Sequence, residues 1–232
     1  MWVYAEILAG VARALARREG ELRAEQAVRG LDALAELEFH PLLARALAAQ
    51  GWGVWRETPY PGAPGEPGRR PKRAQRERCD LVLTPGPDRP PVDPVAILRA
   101  HDAAAGTLFE RQARAAPAPG TPPEECCWLE VKVVGQHAFT HGVPGANAAY
   151  SSDLTRALAE DVLKLNAEPR VRFGGVLVVL MTAEEGVAEH DMAIACHRAL
   201  DRGARFRAPL REGFEITDRI GNRRCDAVLV GL

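Results

Sequence analysis

Lysine is scarce in this chain, although positive charge is not. Of the 30 Lys and Arg residues in the 232-residue sequence, 27 are Arg, and the three lysines are Lys72, Lys132 and Lys164. Arg is a planar, permanently charged fork, whereas Lys is a compact amine whose pKa shifts readily on burial. A position that keeps Lys is therefore a candidate for chemistry that needs an amine. Chance placement of three lysines is the competing explanation.

Other absences exclude whole classes of protein. The formal net charge of −1 leaves no whole-chain basic field to attract nucleic acid, so such binding would need a local patch. No apolar run approaches the roughly 18 to 20 residues of a membrane span, and the N-terminus lacks the features of a signal peptide. Five cysteines, an odd number, argue against a disulfide framework. We expect a reduced, cytoplasmic protein with no membrane partner.

Several familiar catalytic and metal motifs are also missing. His137 and His141 are four apart, but no third zinc ligand accompanies them. Cys126 and Cys127 are adjacent, so they form neither a zinc knuckle nor a redox pair with a two-residue gap. The two serines lie in no nucleophile elbow, and no glycine-rich loop with Gly-Lys is present to cradle phosphate.

Hydrophobic periodicity predicts alternating helices and strands. Helices are expected at 2–18, 21–37 and 41–50, with Pro41 in the first turn of the third. Strands are expected at 52–60, 77–85, 128–134 and 173–183, helices at 153–168 and 188–203, a loop at 137–152, and a closing hairpin around Gly221 and Asn222. Residues 85–125 read as a Pro-flanked helical insertion. This order predicts a three-layer α/β domain with a mixed sheet.

Two charges stand inside one of these predicted strands. Glu130 and Lys132 are two residues apart, so their side chains project from the same face. Asp80 lies in the preceding core strand, and pairing of the two strands would place it beside Glu130. Adjacent carboxylates repel unless a cation lies between them, and Mg²⁺ binds through one or two carboxylates. Lys132 could then orient or deprotonate a water molecule for phosphodiester hydrolysis.

The segments "RCDLVL" and "WLEVKVV" resemble the PD-(D/E)xK superfamily of restriction-endonuclease-like nucleases. The resemblance implies a three-layer α/β/α core with a mixed central sheet and cleavage of nucleic acid, DNA being the expected substrate, with Mg²⁺ or Mn²⁺. It implies catalytic or metal-binding roles for Asp80, Glu130 and Lys132. Many members carry a further Glu on the preceding helix, for which Glu38 is favoured over Glu36 because later apolar residues continue its helical face.

The resemblance also implies a division of the chain and two accessory residues. Residues 1–35 would form an N-terminal helical extension, and residues 36–232 the nuclease domain. Gln136 loosely matches an accessory Gln that some members carry after the Lys. Lys164 could contact phosphate, although an i,i+4 pair with Glu160 is the preferred interpretation.

A basic stretch leads straight into Asp80. "RRPKRAQRER", residues 69–78, is the expected nucleic-acid contact, through Arg69, Arg70, Lys72, Arg73, Arg76 and Arg78. A solvated loop is the alternative, and Asp80 could pair with one of these arginines rather than bind a metal.

Two other interpretations stay open. One is a catalytically inactive module of the same fold that binds nucleic acid, or a protein partner or second copy through the apolar stripe of its N-terminal helices. The other is an unrelated α/β protein in which Glu130 and Lys132 form an internal ion pair.

Overall fold

A computed structural model describes residues 1–62, 77–115, 120–140 and 142–232. Within this part the chain forms six α-helices, two short 3₁₀ helices and eight strands. The helices are α1 (Tyr4–Ala24), α2 (Glu36–Ala48), α3 (Pro94–Ala104), α4 (Glu110–Ala115), α5 (Tyr150–Ala167) and α6 (Glu185–Asp201). The strands are β1 (Gly53–Pro59), β2 (Arg78–Thr84), β3 (Cys127–Gly135), β4 (His137–Thr140), β5 (Val143–Ala146), β6 (Phe173–Thr182), β7 (Leu210–Glu215) and β8 (Arg224–Gly231).

Six of the strands form one mixed sheet in the order β1-β2-β3-β6-β8-β7. Its only parallel neighbours among these strands are β3 and β6, and α5 lies in the connection between them. A parallel pair requires such a crossover, whereas antiparallel neighbours can be joined by a short turn. The remaining neighbours are antiparallel, including β2 with β3 and the closing pair β7 with β8.

Helices cover both faces of this sheet, which gives the predicted three layers. Helices α5 and α6 pack on one face over one apolar core, and α1 and α2 pack on the other face over a second core. Strand β6 lies between the two cores and is buried along nearly its whole length, as its run of apolar residues predicted. The mixed α/β class and the sheet that the sequence predicted are confirmed.

The N-terminal helices differ from the prediction. Helix α1 runs on to Ala24, and the predicted second helix at 21–37 is wrong: a 3₁₀ helix, Leu31–Ala33, follows instead. The apolar stripe of α1, expected as a partner surface, is buried in the chain's own core. Helix α2 begins at Glu36, so Pro41 lies inside it rather than in its first turn. Leu37, whose carbonyl loses its partner at Pro41, is exposed, and water can satisfy that carbonyl.

The segment after β3 is more ordered than the sequence predicted. Residues expected as a loop form the β4–β5 hairpin, and α5 begins at Tyr150 instead of near Asp153. Asn147 stabilises this start, because its Oδ1 accepts the Ala149 N–H at 3.0 Å and its Nδ2 donates to the Gly135 carbonyl at 3.0 Å.

The five cysteines are buried and free, as the odd count suggested. Among the described residues, no helix combines the length and the apolar character that a membrane crossing requires.

Truncation of the central strand should reveal how strongly the two cores depend on it. Leu177 of β6 is fully buried, whereas Leu200 on α6 is 51% exposed. We expect Leu177→Ala to lower the free energy of unfolding by about 3 kcal/mol, because it leaves a cavity, and Leu200→Ala to change it by less than about 0.5 kcal/mol. Urea denaturation of both variants checks this, and equal losses would contradict the assigned packing.

Candidate functional site

Strands β2 and β3 separate beyond their last paired residues, Leu81 and Leu129. Charged residues lie in the opening between the two strands, which we call the fork. The paired residues of these strands run from Leu83 with Cys127 to Leu81 with Leu129, and no pair follows. Beyond this point Asp80 Oδ2 accepts the Val131 N–H at 2.8 Å. An aspartate carboxylate thus replaces the strand carbonyl that would have continued the ladder.

A second carboxylate lies further along the same open edge of β3. Glu36, at the first position of α2, accepts the Val133 N–H through Oε2 at 3.3 Å. Val131 and Val133 are two residues apart, so their N–H groups point toward the same edge. The fork therefore draws two carboxylates to β3, one from β2 and one from α2.

The strand pair beside the fork is locally irregular. Glu57 in β1 has a φ of 51°, which is the left-handed region and uncommon for a residue other than Gly. In β2, Cys79 and Val82 both pack in the core under α5 and α6, whereas Leu81 packs in the opposite core. The regular alternation of side chains is thus lost between Cys79 and Val82, where Asp80 turns into the fork.

Glu130 and Lys132 of β3 face two oppositely charged residues of α5. Lys164 Nζ lies 2.8 Å from Glu130 Oε1, and Lys132 Nζ lies 3.4 Å from Asp161 Oδ2. Residues three apart on a helix lie on one face, as do residues two apart on a strand, so the two pairs align. Lys132 Nζ also lies 3.7 Å from Glu36 Oε1, which connects the helices on the two sides of the sheet.

Tyr60 closes the buried end of this cluster. Its hydroxyl donates a hydrogen bond to Glu130 Oε1, and its ring stacks on Trp128 with the centroids 5.6 Å apart. Lys164 Nζ lies 4.9 Å from the centre of the same ring. Glu130 is only 3% exposed, so these contacts satisfy a charge that would otherwise be costly to bury.

Burial and neighbouring charges perturb the pKa values of Asp80, Glu130, Asp161 and Lys132. Burial raises the pKa of Asp80 and of Glu130, whose carboxyl groups also lie within hydrogen-bonding reach of each other. Burial likewise raises the pKa of Asp161 to about 6, although Lys132 opposes it. Burial alone would lower the pKa of Lys132, but the carboxylates of Asp161, Glu36 and Asp80 outweigh it and raise that pKa. Lys132 is therefore an ammonium ion at neutral pH.

The charges in the fork do not balance. Among the described residues, the four carboxylates of Glu36, Asp80, Glu130 and Asp161 lie with two ammonium groups, which leaves a net charge of −2 when all are ionised. Burial is the main cause of the raised carboxyl pKa values, and the neighbouring carboxylates raise them further. A divalent cation at the Asp80 and Glu130 carboxylates would remove it, and oxygen ligands of this type suit Mg²⁺ or Mn²⁺.

The three residues of the sequence motif lie close together, but the helical glutamate beside them is Glu36 and not Glu38. Asp80, Glu130 and Lys132 meet in the fork, where Glu36 joins them. Glu38, which the sequence favoured, lies outside: its Oε2 accepts the Ala35 N–H at 2.7 Å and caps α2. A carboxylate at this third helical position commonly reaches back to the cap residue, so its first role is local.

The accessory residues also have contacts that sequence reasoning did not predict. Lys164 pairs with Glu130 instead of Glu160. Arg78 donates from Nη1 to the Glu57 carbonyl at 2.6 Å, whereas Asp80 accepts the Val131 N–H. Gln136 Oε1 accepts the Ala183 N–H at 2.9 Å and joins the ends of β3 and β6. The other five basic candidates, Arg69, Arg70, Lys72, Arg73 and Arg76, lie outside the described residues, as does His141.

Sequence reasoning missed two residues of the site, Tyr60 and Asp161. The sequence did contain an indication of Asp161, because it precedes Lys164 by three positions. Opposite charges at this spacing lie along one face of a helix. Tyr60 had only its place at the end of a predicted strand, because its contact with Glu130 depends on packing that no local pattern records.

Comparison of the chain with protein-family models, with curated proteins and with solved structures found no match. The geometry of the fork is therefore the basis for any statement about function.

Asp161 should leave a measurable trace in the pH dependence of stability. Its pKa is raised from 3.8 to about 6 in the folded state, so between these values the folded chain binds the additional proton. The contribution of this group to stability therefore rises as pH falls from about 6 to about 4. On going from pH 7.5 to 4.5, we expect the free energy of unfolding of Asp161→Asn to change less favourably than that of the wild type, by about 1–2 kcal/mol.

Urea denaturation at the two pH values measures this difference. Asp153→Asn, a change at a half-exposed carboxylate on the same helix, is the matched control and should keep the wild-type pH dependence. An Asp161→Asn variant with an unaltered pH dependence would show that Asp161 titrates normally.

Proposed function

We propose that this protein is a divalent-metal-dependent nuclease of restriction-endonuclease-like fold that hydrolyses phosphodiester bonds in DNA. The observation that carries the proposal is the meeting of Asp80, Glu130 and Lys132 in the β2–β3 fork. Two lines support it: the strand pairing that places Asp80 next to Glu130, and the excess of carboxylates over ammonium groups there. The restriction-endonuclease-like fold is proposed from the motif and from the three layers around a mixed sheet.

In this proposal Asp80 and Glu130 hold Mg²⁺ or Mn²⁺, which would supply Lewis-acid activation of the phosphate and of a water molecule. Lys132 carries its proton, since three carboxylates surround it. Its ammonium group therefore acts by orienting the attacking water and the phosphate oxygens rather than by removing a proton. Asp161 and Glu36 hold this ammonium in place, and Lys164 and Tyr60 hold Glu130.

The substrate assignment has its own support. Cleavage of nucleic acid needs positive charge to bind the phosphate backbone beside the carboxylates. The basic stretch at 69–78 supplies six such charges and enters β2 directly before Asp80. Buried, unpaired cysteines agree with action in the reducing cytoplasm.

A catalytically inactive module that binds nucleic acid is the second candidate, and a specific observation favours it. Glu130 Oε1 already has both Tyr60 and Lys164 as partners, and Lys132 already has two carboxylates. These ion pairs stabilise the fork without a metal. The two candidates differ in whether wild-type protein cleaves nucleic acid.

Cleavage assays should decide between them. We expect wild-type protein to cut supercoiled plasmid with Mg²⁺ or Mn²⁺ and not with EDTA, and Lys132→Met to lower the rate at least about 100-fold, since it keeps the bulk but removes the charge. Arg156→Gln, a change at an exposed residue of α5, is the control. Single-stranded DNA and RNA tested in parallel identify the preferred substrate. Absence of cleavage by folded wild-type protein, with retained DNA binding, would support the inactive module.

The two glutamates of α2 offer a matched comparison. Glu36→Gln removes a negative charge that contacts Lys132, whereas Glu38→Gln removes only the charge from the cap contact to Ala35, whose N–H the Gln oxygen still accepts. We expect Glu36→Gln to lower the cleavage rate at least about tenfold and Glu38→Gln to lower only stability, by about 1 kcal/mol or less. Steady-state cleavage rates and thermal melts of both variants check this, and a larger rate loss for Glu38→Gln would contradict the placement.

A further inference from the structure

A buried histidine beside the fork has no hydrogen-bond partner among the described residues. His40 lies on α2 and is 1% exposed, and neither of its ring nitrogens, Nδ1 or Nε2, forms a hydrogen bond with any described residue. Buried polar groups are normally satisfied, so an exception calls for an explanation. Burial lowers the pKa of His40, so the ring is neutral at neutral pH and one nitrogen carries a free lone pair.

Two carboxylates face this ring. Glu57 Oε1 lies 4.0 Å from His40 Nδ1, and one ligand atom each from His40, Glu57 and Asp80 lie within 4.8 Å of one another. Arg56, Glu36 and Lys132 are the other charged groups that act on the ring. The distance from His40 to Glu57 is too long for a hydrogen bond, and a neutral ring forms no ion pair. Direct pairing therefore does not explain the arrangement.

We propose that His40, Glu57 and Asp80 form a binding site for a divalent transition-metal ion. Ligand atoms about 2.1 Å from a tetrahedral ion lie about 3.4 Å apart. The site therefore closes when the three ligand atoms, which lie within 4.8 Å of one another, each approach by a side-chain rotation of about an ångström. Three protein ligands leave positions open for water or a substrate oxygen. An imidazole ligand favours Mn²⁺, Co²⁺ or Zn²⁺ over Mg²⁺ and Ca²⁺, which prefer oxygen ligands alone.

The backbone supports this assignment independently. Glu57 adopts its left-handed conformation inside a strand, between the paired residues Arg56 and Thr58. Such a conformation is costly for Glu and is typically retained where surrounding structure enforces it, often at functional sites. The Arg78 guanidinium bonds to the Glu57 carbonyl and helps to hold this conformation. The strand thus places Glu57 across from Asp80, toward the helix that carries His40.

The site shares Asp80 with the proposed nuclease centre but does not depend on that activity. Asp80 would contribute to both, whereas Glu130 belongs only to the centre between β3 and α5. Metal binding by His40 and Glu57 can therefore be measured separately from cleavage.

The test is direct titration of the full chain with Mn²⁺, Co²⁺ and Mg²⁺. Calorimetry measures the binding of each ion, and visible absorption reports the ligands around bound Co²⁺. We expect wild-type protein to bind Mn²⁺ and Co²⁺ at least tenfold more tightly than Mg²⁺. His40→Phe, which keeps the bulk of the ring, and Glu57→Gln, at an exposed position less important for folding, should each weaken Co²⁺ binding at least tenfold and alter its absorption bands. Glu212→Gln, an exposed glutamate on the other edge strand β7, should bind as the wild type does.

Each outcome separates this site from the proposed nuclease function. Co²⁺ binding that is lost in Glu57→Gln and kept in Glu130→Gln supports the site, whether or not wild-type protein cleaves DNA. A Glu57→Gln variant and a folded His40→Phe variant that both keep the wild-type Co²⁺ affinity and absorption would overturn it. Metal-dependent cleavage in that case would leave the nuclease proposal standing.

Discussion

The hydrogen bond from the Val131 N–H to Asp80 is the contact on which the candidate site depends. It ends the β2–β3 ladder one residue beyond Leu81 and leaves an open edge on β3. An unsatisfied strand edge in a protein interior is costly, so polar groups must be brought to it. Here those groups are carboxylates, and together they create a negative potential that favours binding of a cation in the fork.

The same constraint explains why two of the three lysines are where they are. A carboxylate cluster with no compensating charge would be severely destabilising, and α5 supplies Lys164 opposite Glu130 while β3 supplies Lys132. Each ammonium is held by contacts from more than one element. Compensation by the described residues is nevertheless incomplete, which is the physical basis for proposing a cation in the fork and a second one beside His40.

The fork and its surroundings depart from the regular pairing and packing that would be most stable. Continuous strand pairing, with side chains alternating between the two apolar cores as in the β6–β8 pair, would be more stable than the opening between β2 and β3. Instead, Glu57 has a left-handed backbone, and His40 is buried without a hydrogen bond to any residue that the structure describes. Sites at which local rules fail together are those where function is expected.

The sequence by itself determined the mixed α/β class, the core strands and the grouping of Asp80, Glu130 and Lys132, because strand periodicity and apolar runs are local properties. It also limited the helical glutamate to two residues. Only the tertiary structure decided for Glu36 over Glu38, for Glu130 over Glu160 as the partner of Lys164, and for the approach of His40 to Glu57. Those choices depend on how α2 and α5 cross the sheet and on where β2 parts from β3, which is set by packing between segments far apart in the chain and leaves no local pattern.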